Sequence, residues 1–417
     1  MKYVRAQSQD LANRLNEPVE RLQIIAGPRQ IGKSTLVRHT LEDWPKDSFT
    51  NLSTELGSAE IIAIESDTET YRPETRRDVA WLIDAWRKAR NVAARNAKRH
   101  VLVIDEIQKI PQWSEAVKAL WDADRAAKID MHVVLLGSAP LLMQKGLAES
   151  LAGRYELIRM THWSLAEMQE AFNFSIEEYI YFGGYPGAAQ FVNDETRWRN
   201  YVIDSLITPN ITRDILQMTR VEKPALLKLL FELGCQYSGE IRSLDKLKGQ
   251  LAEAGNTTTL THYLHLLSEA GLLTGLQKFA IDKVRQRNSP PKLNARNTGL
   301  MSVNSGYAFA EAQADRAFWG HLVETTVGAH LINTAEGALQ ISYWRESPHE
   351  VDFVLAQGQR VTAIEVKSGK STGDMLGIKK FQTHFPHARS LVVGGNTDCD
   401  VTVAELLSQP AAHWLTI

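Results

Sequence analysis

The chain has 417 residues, 44% of them hydrophobic, which at roughly 100–200 residues per domain allows two to four packed domains. Its 47 Lys and Arg residues nearly balance 49 Asp and Glu residues, and the formal net charge of −2 excludes a globally basic nucleic-acid-binding protein. The two cysteines, Cys235 and Cys399, lack metal-ligand spacing. The amino terminus lacks a signal-peptide pattern and no apolar run reaches about 18 residues, so we expect a cytoplasmic protein without a membrane partner.

The first third of the chain alternates predicted strands with predicted helices. The segment RLQIIAG (21–27) predicts a buried strand that stops at glycine, and KSTLVRHTLEDW (33–44) predicts a helix. Residues 76–98 predict an amphipathic helix, whereas the apolar runs at 100–106 and 131–139 predict buried strands. This alternation predicts an α/β fold with a parallel sheet.

The turn between the first strand and its helix, GPRQIGKST (27–35), fits the pattern G-x-x-x-x-G-K-[ST] of a P-loop. Its glycines let backbone N–H groups face phosphates, Lys33 would reach the β- and γ-phosphates, and the Ser34 hydroxyl would ligate Mg²⁺. The positive end of the helix dipole adds to this preference for phosphate. The predicted ATP and Mg²⁺ site comprises Gly27, Gly32, Lys33, Ser34, Thr35 and Asp105.

The next two predicted strands supply catalytic candidates. Asp105, at the end of VLVIDE, would hold Mg²⁺, and Glu106 would act as the general base toward the attacking water. Ser138, in LLGSAP, would contact the γ-phosphate or the water, and a helix N-cap is its alternative role. Arg154, in ESLAGRYE, is an arginine-finger candidate for a neighbouring subunit, with a structural salt bridge as the alternative.

The second half changes character. Residues 160–215 are predicted to be helical, and residues 223–280 predict three short helices that lead into a strand-like hairpin at 272–284, the pattern of a winged helix. A proline-containing connector at 287–294 follows. Residues 316–417 predict the order helix, strand, strand, strand, helix, strand, typical of a small α/β domain.

The ordered motifs GPRQIGKST, VLVIDEIQKIPQW, LLGSAPLLMQKGLAESLAGR, YFGGYPG, EVDFVL and IEVKSG resemble a large family of bacterial and archaeal AAA-type ATPases. The resemblance implies a P-loop core with a helical lid, a winged helix and a restriction-endonuclease-like domain of the PD-(D/E)xK type. It also implies ATP-site roles for the matching glycines, Lys33, Ser34, Asp105 and Glu106. An insertion-like stretch at about 55–98 departs from the family pattern, as does MTHWSLAEM (160–168). The predicted domains are an ATPase core (1–158), a helical lid (159–220), a winged helix (221–297) and a nuclease-like domain (298–417).

Four residues near the end of the chain have the order of a PD-(D/E)xK nuclease site. Strand alternation puts Glu365 and Lys367 on one face, Asp352 could approach from the preceding strand, and Glu324 lies on a predicted helix. Two carboxylates, Asp352 and Glu365, would bind Mg²⁺, and the lysine would orient the nucleophile. The sequence leaves open whether the site cleaves DNA, binds it, or is an ion-paired sheet edge.

Segment 278–296 is locally basic, with six cationic residues against Asp282 alone. We expect it to form a DNA-binding wing for duplex or branched DNA, and its alternatives are a solvated hairpin or a contact with an acidic protein surface. The candidate DNA contacts are Lys278, Lys283, Arg285, Arg287, Lys292 and Arg296.

These features predict a Mg²⁺-dependent ATPase that assembles as a homo-oligomer, for example a hexamer, and acts on DNA through its C-terminal half. The alternative is a nucleotide-dependent signalling or assembly switch with an inactive nuclease-like interaction domain. A third possibility is a metal-dependent nuclease that uses ATP for assembly.

Overall fold

A computed structural model of the chain describes residues 3–44, 48–53, 78–95, 99–138, 150–215, 221–251, 256–280, 286, 289–367, 375–394 and 399–415. The chain divides into two compact units, Lys2–Met160 and Thr161–Ile417. This division falls close to the predicted boundary at residue 158, and the boundaries predicted after residues 220 and 297 stay predictions. Within the described ranges, every helix is too short or too polar to span a lipid bilayer.

The described strands of the first unit form a parallel sheet in the order β2-β3-β4-β1-β5. The strands are β1 (Leu22–Ala26), β2 (Phe49–Ser53), β3 (His100–Asp105), β4 (Met131–Gly137) and β5 (Tyr155–Arg159). The helices are α1 (Gln7–Asn16), α2 (Lys33–Thr40), α3 (Val79–Arg95) and α4 (Trp113–Ala126). The predicted parallel α/β core is confirmed.

Apolar residues on both faces of the central strands explain this layered arrangement. Leu102 packs in a buried cluster with Trp86, whereas Val103, its neighbour in β3, packs on the opposite face with Leu11 and Leu36. Each such side chain contributes about 1.5–3 kcal/mol when it is fully buried. Because all five strands run parallel, the segments that follow β1, β3 and β4 meet at one edge of the sheet.

The second unit begins with helices and an antiparallel hairpin. The helices are α5 (Leu165–Phe172), α6 (Ile176–Phe182), α7 (Glu195–Tyr201), α8 (Pro224–Gln236), α9 (Leu244–Lys248) and α10 (Thr257–Glu269), with π-helical turns at Val202–Ile207 and Asn210–Ile215. Capping boxes at Ser164 and Ser175 fix the starts of α5 and α6. The hairpin pairs β6 (Leu273–Leu276) with β7 (Lys292–Ala295).

The position of β7 corrects one prediction. Its residues Lys292–Asn294 were assigned to a connector, and the second hairpin strand was expected before residue 285. The structure instead places that strand at Lys292–Ala295, where Leu293 and Ala295 are fully buried. Burial of this short strand outweighs the turn signal of the preceding prolines.

A mixed sheet completes the second unit, in the order β12-β11-β10-β9-β8. Within this sheet, β8 pairs antiparallel with β9, and β9 pairs antiparallel with β10. The pairs β10–β11 and β11–β12 are parallel. The helices are α11 (Gly299–Ser302), α12 (Phe309–Ala314), α13 (Arg316–Asn333), α14 (Leu376–His384) and α15 (Val403–Ser408). The strands are β8 (Gln340–Glu346), β9 (His349–Gln357), β10 (Arg360–Lys367), β11 (Arg389–Gly394) and β12 (Val401–Thr402). The helix and strand order predicted for residues 316–417 is present, and α13 packs against both β7 and β10.

Candidate nucleotide site and C-terminal carboxylate cluster

The loop from β1 to α2 has a backbone that requires glycine at two positions. A Cβ at Gly27 would lie 2.1 Å from the Met160 carbonyl oxygen, so no larger residue fits there. Gly32 lies immediately before α2 and has φ 91°, a left-handed conformation that is strained for any residue with a side chain. The loop therefore curls tightly around the start of α2, as a phosphate-binding loop must.

Lys33 is folded back into this loop. Its side chain is 6% exposed, and Nζ donates hydrogen bonds to the carbonyl oxygens of Gly27 at 3.1 Å and Pro28 at 2.8 Å. The ammonium therefore lies inside the curl of the loop, where it can exchange these carbonyl partners for phosphate oxygens. Ser34 and Thr35 follow it in the first turn of α2, and both are exposed.

Ser34 and Asp105 form the contact expected of a nucleotide-linked magnesium site. The Ser34 hydroxyl donates a 2.5 Å hydrogen bond to Asp105 Oδ2, although the two residues are 71 positions apart. Asp105 Oδ1 is buried and accepts no hydrogen bond from the described residues. Burial raises the pKa of Asp105, and the hydrogen bond from Ser34 opposes that rise. A hydroxyl beside a carboxylate with a spare buried oxygen fits Mg²⁺, which prefers oxygen ligands.

Two side chains hold Glu106 at the same edge of the sheet. Ser138, directly after β4, donates a 2.7 Å hydrogen bond to Glu106 Oε2, and Gln108 donates a 2.5 Å hydrogen bond to the same oxygen. Both donors are more than 90% buried. Glu106 itself has φ 54°, an uncommon conformation for a non-glycine residue. The backbone turn and the two donors together fix the direction of this carboxylate.

Gln108 was not among the sequence candidates. It lies in a 3₁₀ turn, Ile107–Lys109, whose first residue is apolar and buried. A single glutamine in such a turn belongs to no sequence motif, so its contact with Glu106 could not be predicted from the sequence.

Arg154 lies at the amino-terminal end of the parallel strands, whereas the P-loop lies at their carboxyl-terminal end. Its guanidinium makes two hydrogen bonds to the Asp122 carboxylate, at 2.8 and 3.0 Å. Its carbonyl accepts from Leu22 N at the start of β1, about 17 Å along the strand from the loop. The salt bridge that was the alternative role is therefore present, and a role toward a neighbouring subunit stays a prediction.

The four residues of the predicted nuclease-like site do converge. Asp352 on β9 accepts a 2.8 Å hydrogen bond from Val366 N on β10 through Oδ2. Lys367 Nζ donates to Glu365 Oε1 at 2.6 Å, and Glu365 Oε2 is buried without a hydrogen-bond partner among the described residues. Burial, aided by repulsion from Asp352, raises the pKa of both Glu324 and Glu365 to about 7.

A fifth residue, Lys292, contacts three of the four acids of a carboxylate cluster, which comprises Glu324, Glu350, Asp352 and Glu365. Its side chain has no exposed area, and Nζ lies 2.7 Å from Glu324 Oε1 and 3.2 Å from Asp352 Oδ1. Burial alone would lower the pKa of Lys292, but the carboxylates of Asp352 and Glu324 outweigh it and raise that pKa. The cation is therefore kept charged inside the protein.

The same burial corrects part of the predicted DNA surface. Lys292 faces the interior, so the prediction that it contacts DNA is wrong. Arg296 is half-buried and donates to Asn333 Oδ1 at 2.8 Å, and burial lowers its pKa to about 10. It too serves an internal contact. Lys278 is half-buried beside β8, and Lys283, Arg285 and Arg287 lie outside the described residues.

A parallel sheet whose first strand leads through such a loop into a helix, with Ser34 against Asp105, defines a P-loop nucleoside triphosphatase core. Residues 19–169 match a family described as "AAA domain", which supports an AAA-type P-loop ATPase fold for this part of the chain. Residues 173–308 and 319–408 match two domains of unknown function, DUF8612 and DUF4143. The DUF8612 match ends between the hairpin and α13, and the DUF4143 match contains all four carboxylates of the cluster.

The chain is also similar to two bacterial proteins and to a solved archaeal structure. The chain is 27% identical over 369 residues to uncharacterized proteins of Mycobacterium tuberculosis and Mycobacterium bovis, an overlap that covers 86% of this chain and 73% of each relative. Among solved structures it is similar to the Walker-type ATPase PABY2304 of Pyrococcus abyssi, with 16% identity and a TM-score of 0.50. That match covers 72% of this chain and 94% of the archaeal one, and it supports the fold alone.

Proposed function

We propose that the chain binds and hydrolyses ATP with Mg²⁺. The observation that carries this proposal is the Ser34–Asp105 contact beside a Glu106 carboxylate that two buried donors hold in place. Lys33 would exchange its loop carbonyls for phosphate oxygens, and backbone N–H groups of the loop would line the phosphates. Ser34 and Asp105 would hold Mg²⁺, which would offset the charge of the phosphates.

Glu106 would act as the base of this reaction. Its carboxylate would accept a proton from the attacking water, while Ser138 and Gln108 keep it from rotating away. Asp105, one residue earlier, stays at the end of β3 and close to α2, so the two neighbouring acids serve different partners. Arg154 would act on the nucleotide of an adjacent subunit, which requires a homo-oligomer, for example a hexamer.

The second unit supports an action on DNA. Three helices followed by a two-stranded hairpin are the elements of a winged helix, and the order helix, three antiparallel strands, helix, parallel strand is that of a PD-(D/E)xK domain. Lys278, Lys283, Arg285 and Arg287 remain the basic candidates for duplex or branched DNA.

A nucleotide-dependent switch is the second candidate function. The specific observation in its favour is that Lys292 and Arg296 make internal contacts, which reduces the basic surface available to DNA. In this case the C-terminal domain would bind a protein partner, and ATP hydrolysis would end the interaction.

ATP turnover of the full chain, measured with and without duplex and junction DNA, tests these functions. We expect hydrolysis that Lys33→Ala abolishes and that the exposed-surface control Glu115→Gln leaves intact. Stimulation by DNA, together with salt-sensitive DNA binding, supports the first candidate. Turnover that no DNA form changes, in a protein that binds none at low salt, rejects the action on DNA in favour of the switch.

A further inference from the structure

The ammonium group of Lys292 is surrounded by carboxylate and carbonyl oxygens inside the protein. It lies at hydrogen-bonding distance from Glu324 Oε1 (2.7 Å), Asp352 Oδ1 (3.2 Å) and the Asp352 carbonyl oxygen (3.2 Å). Two N–H donors of the ammonium are satisfied by the Asp352 oxygens, and Glu324 Oε1 forms a close ion pair with it. Glu350 Oε1 lies 3.7 Å away, and the Phe353 ring centroid is 4.9 Å away, a cation–π distance.

This arrangement occupies the place that a divalent cation would need. Mg²⁺ binds oxygens at about 2.0–2.1 Å and attracts the same carboxylate oxygens that now surround Nζ. The other Asp352 oxygen is taken by Val366 N, and one Glu365 oxygen by Lys367. Among the described residues, no set of three or more His, Cys, Asp or Glu side chains is arranged to hold a metal ion. Asp352, whose two oxygens are both taken, therefore does not fit the role while Lys292 is present, and Glu365 offers one oxygen, Oε2, without a hydrogen-bond partner among the described residues.

The cation also comes from a different part of the chain than the acids. Lys292 is in β7, within the DUF8612 match, whereas Glu324 on α13 and Asp352 on β9 belong to the DUF4143 match. The Lys292 side chain is fully buried, so separating it from these acids would leave a buried charge without a counter-charge. The contact thus ties the hairpin to the mixed sheet.

We propose that the C-terminal carboxylate cluster is a lysine-centred lock in which the Lys292 ammonium replaces the divalent cation of a nuclease site. The lock joins the hairpin to the nuclease-like domain, and the domain does not cleave DNA by a metal-dependent reaction. The acids serve as the counter-charge of one buried lysine. This inference does not depend on ATP hydrolysis.

Metal binding by the full chain tests the lock. The parent protein for this experiment carries Asp105→Asn, which removes the nucleotide-site ligand, and Mn²⁺ is titrated without nucleotide while the free ion is measured by electron paramagnetic resonance. We expect no Mn²⁺ site in the parent at millimolar ion. Replacing the lysine by Lys292→Ala should create a site at least about tenfold tighter than any binding in the parent, because the carboxylates lose their cation. Adding Asp352→Asn should remove that new site.

Matched controls and a second measurement make the test decisive. Lys379→Ala, which changes an exposed lysine on α14, should gain no Mn²⁺ site. The thermal unfolding midpoint of Lys292→Ala should rise with Mn²⁺, whereas that of the parent should not. If Lys292→Ala fails to fold, the parent alone decides: absence of a site supports the lock. A Mn²⁺ site in the parent that Asp352→Asn abolishes, or Mg²⁺-dependent DNA cleavage that Glu365→Ala abolishes, overturns it.

Discussion

The Ser34 hydroxyl and the Asp105 carboxylate meet at 2.5 Å at the carboxyl edge of the parallel sheet. Ser34 lies in the first turn of α2 and Asp105 ends β3, so the sheet brings together residues that the sequence separates by 71 positions. This contact joins the phosphate-binding loop to the acidic strand. The first prediction follows from it.

Asp105→Asn should lower Mg²⁺-dependent ATP turnover by about 10²-fold or more, because the amide cannot supply the charge that holds the ion. The amide remains able to accept from Ser34, so the fold should be retained. Turnover measured against Mg²⁺ concentration is the readout, and the variant should need far more Mg²⁺ to reach half its maximal rate. An unchanged Mg²⁺ dependence would remove Asp105 from the metal site.

Gln108 should act as a positioning residue for Glu106. Gln108→Ala removes a hydrogen bond to a carboxylate, an interaction of about 1.5–3 kcal/mol, so kcat should fall roughly tenfold or more. KM for ATP should stay near its wild-type value, because Gln108 does not contact the predicted phosphate site. The control Gln9→Ala changes an exposed glutamine of the same unit and should alter neither constant. A rise in KM with kcat unchanged would contradict the positioning role.

His132 should make the first unit less stable in mild acid. Burial in β4 lowers the pKa of His132 from 6.5 to about 4. Between these two pH values the histidine is protonated in the unfolded state but stays neutral in the folded state. His132 leaves the free energy of unfolding unchanged above pH 6.5 and lowers it as the pH falls toward 4, by roughly 3 kcal/mol in all.

Hydrogen exchange of the β3 and β4 amides between pH 7.5 and pH 4.5 measures this effect, after correction for the intrinsic exchange rate. His132→Gln should flatten the pH dependence of their protection, whereas His387→Gln, at an exposed position, should not. Equal slopes for wild type and His132→Gln would show that His132 is not the group responsible.

Lys292→Met should destabilise the second unit by about 3–5 kcal/mol, because it leaves the buried carboxylates without their counter-charge. Urea unfolding gives the free energy, and Lys379→Met should leave it nearly unchanged. Adding Glu324→Gln to Lys292→Met should restore part of the loss, since one unpaired charge is removed. If the two substitutions destabilise additively, the residues do not interact and the lock has no energetic basis.

The nucleotide site was predictable because its signals are local. Gly27, Gly32, Lys33 and Ser34 fall within one short loop, and an apolar strand that ends in Asp105 predicts its own place at the edge of a parallel sheet. The strand order within residues 316–417 was predictable for the same reason, since alternation is visible in each segment.

The internal partners of the site residues were not predictable. Lys292 follows two prolines in a basic segment, so its local sequence indicates an exposed wing, and only the packing of β7 against α13 shows it buried among acids. Gln108 reaches Glu106 through a turn with no recognisable pattern. Both contacts depend on how elements pack, which a single sequence does not encode in any local motif.

Glu106→Gln tests the central claim, ATP hydrolysis at this site, most directly. Phosphate release from Mg-ATP and binding of a fluorescent ATP analogue are measured on wild type and variant in parallel. We predict that wild type releases phosphate, and that Glu106→Gln binds the analogue with similar affinity but releases phosphate at least about 10²-fold more slowly. Wild-type protein that binds nucleotide without releasing phosphate, or a Glu106→Gln variant with the wild-type rate, would contradict the account.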